Sequence, residues 1–299
     1  MILVFDSKSI SPSYIADKIR SFYESEYGVR DIGRTGAILD DIINLFNGNM
    51  KGFHRCDTGY HDLVHTLQVI PPFIEIITGW NKSGQLPKIS KRYAEAGMIA
   101  VILHDTGYIK KEGDTDGTGA KYTFEHIKRS MDFASYYLPQ KGIDQHLIAQ
   151  IKNIICCTGV SINLDEIHFH SEEEKLMGYA LGTADLLGQM SADDYVEKLP
   201  ILYDEFKESY LFIGTETLAK NGVNIFKNAE ELMTSTRSFY ENFVMNRFHM
   251  MGSIYNYVTF NYNDMKNPYI EAIEKNIKKI EDIMSKTAKN ILSETTLNR

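Results

Sequence analysis

Three short stretches of this chain concentrate residue types that bind divalent metals. Residues 59–69 read GYHDLVHTLQV, with His61 and His65 four apart and Asp62 between them. Residues 101–108 read VILHDTGY, where a long apolar run ends in the adjacent pair His104 and Asp105. Residues 179–191 read YALGTADLLGQMS, with Asp185 as the single acid among Ala, Leu and Gly. Two imidazoles and two carboxylates make a mixed nitrogen and oxygen donor set that suits Mn, Fe, Zn or Ni. A carboxylate buried without a partner is costly, and a bound cation removes that cost. The competing reading is a carboxylate satisfied by helix caps and hydrogen bonds. For Asp185 taken alone, that bland reading is the stronger.

The elements that must position these residues are helices. Apolar residues recur mostly at spacings of three and four, and little strict alternation appears outside MILVF at the N-terminus. Helices are expected over 12–27 and 34–48, the first opened by a capping serine and an early proline. A third is expected from Asp57 or Thr58 to Pro71 and Pro72 or slightly beyond. Within it His61 and His65 share a face one turn apart, and Asp62 points elsewhere. A loop over 80–90 precedes a nearly apolar helix ending in His104 and Asp105. Adjacent residues lie about 100° apart on a helix, so this pair reaches one ion only from the helix edge. A polar loop over 112–120 follows, then helices at about 122–138, 143–157 and 173–188. TGVSINLDEIHFHS is irregular, and SADDYVEKLPILYDEF opens on an N-cap serine. The final third reads as long helices over 222–262 and 266–294. In the last one, Ile270, Ile273, Ile277, Ile280, Met284 and Ile291 follow a heptad-like spacing. That pattern serves a helix lying on its own domain, the commoner use, or a homodimer seam.

Composition bounds the rest. The 299 residues carry 43% hydrophobic and 24% charged side chains, ordinary for a globular protein. The expectation is one all-α domain over 1–299. A net charge of −8 argues against stable nucleic-acid binding. No run approaches the roughly 18 apolar residues of a membrane helix, and the N-terminal apolar stretch is too short for a signal peptide. Cys56, Cys156 and Cys157 make a poor disulfide framework, which suits a reducing compartment. A cytoplasmic location is expected.

The ordered set His65, His104-Asp105, Asp185 resembles the HD superfamily of metal-dependent phosphohydrolases, marked by H…HD…D on a helical core. GYHDLVHTLQV is similar to the YHN..H....V segment of class I cyclic-nucleotide phosphodiesterases and their bacterial relatives. ILHDTGY resembles the family's HD helix end, and TADLLGQMS its terminal Asp helix. The match covers roughly 50–215, with flanking helices over 1–49 and 216–299. It implies a phosphodiesterase-like helical bundle with extra N- and C-terminal helices. It also implies one or two divalent ions (Mn, Fe, Zn, Ni or Mg) held by His65, His104, Asp105 and Asp185, with Asp105 bridging to the second. A hydroxide held between two ions attacks phosphorus at neutral pH because the metals lower the pKa of water. By the same resemblance His61 gives the leaving oxygen its proton, so His61 and Asp105 are the expected catalytic residues.

Further candidates surround this core. His126 matches a position that related branches, including the HD-GYP phosphodiesterases, use near the second metal or the substrate. The alternative is a surface histidine beside Glu125. The His-His pair and the GYP triplet of that branch are missing, with Cys156, Cys157 and Thr158 where the pair would stand. Cys157 suits apolar packing better than a ligand role. Asp62 replaces the Asn of YHN, as an acceptor for a histidine ring or a group acting on His61. If Phe239 marks the purine site of the eukaryotic enzymes, Thr236 stands where they place glutamine. Lys110, Lys111 and Lys121, with Arg55, are candidates for substrate phosphate contacts or a solvated charge run. His168 and His170 look like another metal pair by composition, though accident is the commoner source of such a pair. The expected activity is hydrolysis of a small nucleotide-like phosphate ester, as diesterase or monoesterase, by a metal-bound hydroxide. The alternatives are an HD-fold di-iron oxygenase and an inactive nucleotide-binding HD protein.

Overall fold

Named side chains set where the helices start and stop. In the computed structural model, which describes residues 10–220, 222–263 and 265–297 (backbone alone from 287), Ser11 accepts from the Tyr14 N–H at the start of α1, Pro12–Tyr27. Gly28, at φ 67°, ends it in the left-handed conformation. Next comes α2, Gly33–Phe46. The MILVF alternation lies outside the described residues.

The third helix departs from the expectation. Asp62 accepts from the His65 N–H at 2.8 Å, so α3 starts only at Leu63 and spans Leu63–Gln68. Residues 57–62 are coil and bends, and His61 is not on a helix. Pro71 and Pro72 do not end this helix either. They sit in the first turn of α4, Ile70–Ser83, where a missing N–H costs nothing. The expected loop over 80–90 shortens to 84–90 accordingly. Ser90 then caps α5, Lys91–Leu103, with His104 as its C-cap residue and Asp105 just beyond.

α6 spans His126–Tyr137 and α7 Gln145–Cys156. α8, Glu172–Ser191, runs through the serine expected to cap the next helix. The N-cap of α9, Tyr195–Ile213, is Asp194. The expected helix over 222–262 is broken. α10, Thr215–Lys220, precedes α11, Ala229–Thr234, which is capped by Asn228. α12, Thr236–Phe239, leads through a π turn into α13, Met245–Met250. Gly252 and Ser253, both at positive φ, stop the run, and a 3-10 segment over Ile254–Asn261 follows. The last helix, α14, spans Pro268–Leu297.

The described residues form an all-α architecture. They contain no strand, only an isolated bridge between Phe53 and Lys111. One apolar cluster extends from Ile15 to Ile280. α5 and α8 cross its centre, with α2, α4, α7 and α14 packed around them. Gly97 allows the close approach: a Cβ there would stand 2.7 Å from Phe73 and 2.9 Å from Met177. Ile273, Ile277 and Ile280 of α14 are buried within this same chain. The Asn276 amide donates to the carbonyls of Met190 and Ala192, tying α14 to the end of α8. The Ile291 side chain lies outside the described residues. No helix among them is long and apolar enough to cross a membrane.

Candidate metal centre

α5 delivers His104 and Asp105 to the middle of the molecule because its residues from Ala96 to Leu103 are all buried. α3 brings His65 and α8 brings Asp185 to the same point. One ligand atom from each of His65, His104 and Asp185 lies within 4.8 Å of the others. Asp105 joins them, with Oδ2 at 3.2 Å from His65 Nε2 and 3.3 Å from His104 Nε2. Asp185 Oδ1 stands 3.3 Å from His65 Nε2 and 3.8 Å from His104 Nε2. Donors about 2.1 Å from a shared ion are separated by about 3.0–3.4 Å at octahedral or tetrahedral angles. The observed spacings have that scale.

The hydrogen bonding supports the fit. His104 Nδ1 lies 2.7 Å from the Val101 carbonyl, which makes Nδ1 the donor and leaves the Nε2 lone pair free. His104 Nε2, Asp105 Oδ2 and Asp185 Oδ1 are buried and have no hydrogen-bond partner. Buried polar atoms without partners are rare, and these three face one another. Burial alone would lower the pKa of His65, yet Asp105 and Asp185 outweigh it and raise the value to about 10. His104 is raised by the same two carboxylates against its burial. Asp105 is held well below the usual carboxylate range: burial opposes the shift, and His104 and His65 prevail. The cluster therefore demands a positive charge, as protons or as a cation.

Asp105 faces two ways. Its Oδ1 points toward His126 Nε2, 3.9 Å distant. His126 opens α6 with Nδ1 at 2.6 Å from the Thr123 carbonyl, again leaving Nε2 outward. Its burial outweighs the attraction of Asp105 and lowers its pKa, so the ring is neutral. Gly107 makes this approach feasible, since a Cβ there would stand 2.0 Å from the His126 carbonyl oxygen. Ser130 fastens α6 to the same turn: it accepts from the Gly107 N–H and donates to the His104 carbonyl.

His61 reaches the centre without a helix. Its ring lies 5.4 Å from that of His65 and stacks on Tyr108 at 4.4 Å. Glu205 of α9 holds it, with Oε2 at 2.6 Å from His61 Nδ1 and Oε1 accepting from the backbone N–H groups of Tyr60 and His61. Burial would raise the pKa of Glu205, but His61 and those two donors lower it, so the carboxylate is charged. Asp62, considered as the acceptor for a histidine ring, is occupied as the N-cap of α3.

The structure puts other candidates elsewhere. Lys110 is buried, paired with Asp57 at 2.8 Å and donating to the Gly117 carbonyl. Lys121 is buried against Asp114 and the Asp116 carbonyl. Both charges are already matched, while Lys111 and Arg55 are exposed. Cys157 is buried beside Gly178, its thiol pKa pushed up by burial, and Cys156 contacts the Met131 sulfur. The Thr236 hydroxyl donates to the Leu232 carbonyl within its own helical run, and Phe239 stacks on Phe243.

Glu205, which holds His61 in place, is the residue of this cluster with the weakest signal in the sequence. Its signal is one acid among six over residues 193–208, and only the fold reveals which of them faces inward. No protein-family model and no curated protein matches this chain.

Proposed function

We propose that the chain is a metal-dependent phosphohydrolase acting on a small nucleotide-like phosphate ester. The observation that carries this reading is the convergence of His65, His104, Asp105 and Asp185, where three buried atoms without a hydrogen-bond partner stand 3.2–3.8 Å from the neighbouring donor atoms. The H…HD…D resemblance supports the choice of phosphoryl chemistry. A divalent ion bound there supplies an activated water at neutral pH and a charge for the phosphoryl oxygens.

The chain's own residues do the remainder. His65, His104 and Asp185 would hold the first ion. Asp105 would help to hold that ion, and Asp105 with His126, whose Nε2 lies 3.9 Å from Asp105 Oδ1, would hold a second. His61 holds the proton for the departing oxygen. Glu205 accepts from its Nδ1, which fixes the orientation of the ring and leaves Nε2 for the proton transfer. The Tyr108 ring stacks on those of His61 and His126 and braces both.

The test uses purified protein with Mn and two generic substrates, a phosphodiester and a phosphomonoester. Hydrolysis of either supports the proposal, and the faster one assigns the subclass. His61→Ala is expected to lose turnover and keep its metal. Absence of hydrolysis in the metal-loaded protein, together with oxygen consumption by the reduced iron form, would replace this reading with the di-iron oxygenase.

A further inference from the structure

The chain carries a second histidine pair, away from the centre described above. His146 lies in the first turn of α7 and is exposed. His170 lies just ahead of α8, with 46% of its side chain exposed. Their ring centres are 5.2 Å apart at 61° between planes. His65 and His104 are arranged in much the same way, at 5.8 Å and 63°. Two imidazoles bound through nitrogen to one tetrahedral ion, at about 2.1 Å each, place their ring centres about 5.2 Å apart.

A second observation concerns Glu174. Its carboxylate is fully buried behind His170. It accepts from the Asn153 amide at 2.8 Å and from the His170 backbone N–H at 2.7 Å. In part this is a helix cap, since Ser171 accepts from the Glu174 N–H. The cap does not account for the third contact, in which His170 Nδ1 lies 3.1 Å from Glu174 Oε2. A carboxylate on Nδ1 fixes the tautomer and leaves Nε2 as a lone-pair donor, the usual support of a metal-binding histidine.

We propose that His146 and His170 form a second, surface site for a borderline divalent ion such as Zn2+ or Cu2+, with water completing the coordination. Composition pairs His168 with His170, but in the structure His170 meets His146 while His168 Nδ1 turns to the Glu166 carbonyl. Both histidines sit near helix N-termini, whose dipoles disfavour a cation. Asp144, which caps α7, and Glu172 and Glu174 in the first turn of α8 oppose that field. An ion there clamps the irregular 158–171 segment onto α7.

The experiment is equilibrium dialysis of untagged, metal-stripped protein against Zn2+, with ions per chain counted by mass spectrometry. His146→Ala changes only an exposed side chain and is expected to bind one ion fewer than wild type. Glu174→Gln is expected to weaken that ion's binding about tenfold, the usual cost of losing such a carboxylate. A Zn2+ count and affinity unchanged in His146→Ala would overturn the proposal. That result would leave the reading of the central site standing, because Asp105→Ala is scored separately on the ions of that site.

Discussion

Glu205→Gln is the perturbation that separates the proposed acid, His61, from the proposed metal ligands. The wild-type carboxylate is buried, charged, and accepts three hydrogen bonds, two of them from His61. Glutamine keeps the shape but loses the charge, and its amide nitrogen cannot accept from Nδ1. The ring must then carry its proton in the wrong place or turn away. A hydrogen bond to a charged partner contributes roughly 1.5–3 kcal/mol, and each 1.36 kcal/mol is about tenfold in rate. The expected loss is therefore about 10- to 100-fold in kcat, with KM and metal content near wild type. His61→Ala removes the acid itself, a loss of about 100- to 10,000-fold. Because Glu205 acts through His61, the double variant should be no slower than His61→Ala. The assay is steady-state hydrolysis with parallel metal analysis. Additive losses in the double variant would show that Glu205 does not act through His61, and metal loss in Glu205→Gln would make Glu205 a support of the metal instead.

Three further outcomes are expected. Metal-free protein should lose thermal stability as pH rises. The folded His65 pKa of about 10 exceeds its ordinary 6.5, so its contribution is complete below about pH 6.5 and fades toward pH 10. Metal-loaded protein, in which the proposed histidine ligands would be neutral, should lack this dependence in a thermal melt series. Gly107→Ala puts a Cβ within 2.0 Å of the His126 carbonyl oxygen and should cost about 1–3 kcal/mol in urea unfolding. Asn276→Ala leaves the Met190 and Ala192 carbonyls without their donor and should cost about 1–3 kcal/mol, measured in the same way.

Much of the fold could be read from periodicity and caps. α1 matches its expected bounds because Ser11, Pro12 and Gly28 are local signals. Position 62 shows why other bounds shifted. Aspartate there is a strong N-cap, and Pro71 and Pro72 suit a first turn as well as they suit a stop, so one expected helix became α3 and α4. His61 lies near His65, but not by helical spacing, because His61 precedes α3. Glu205, 144 residues further along, brings them together. Long-range hydrogen bonds of this kind leave no periodic trace. The lysines illustrate the same limit, since neither the Lys110–Asp57 pair nor the burial of Lys121 against Asp114 can be read from the charge run.

The proposed activity stands on four side chains, His65, His104, Asp105 and Asp185, holding a catalytic metal. Its most direct test is the metal content of purified wild type beside Asp105→Ala, counted by elemental analysis at matched protein concentration. Wild type is expected to hold one or two transition ions per chain at this centre, and Asp105→Ala to lose most of them. A wild type that takes up no metal there, or an Asp105→Ala form that binds as much as wild type, would contradict it.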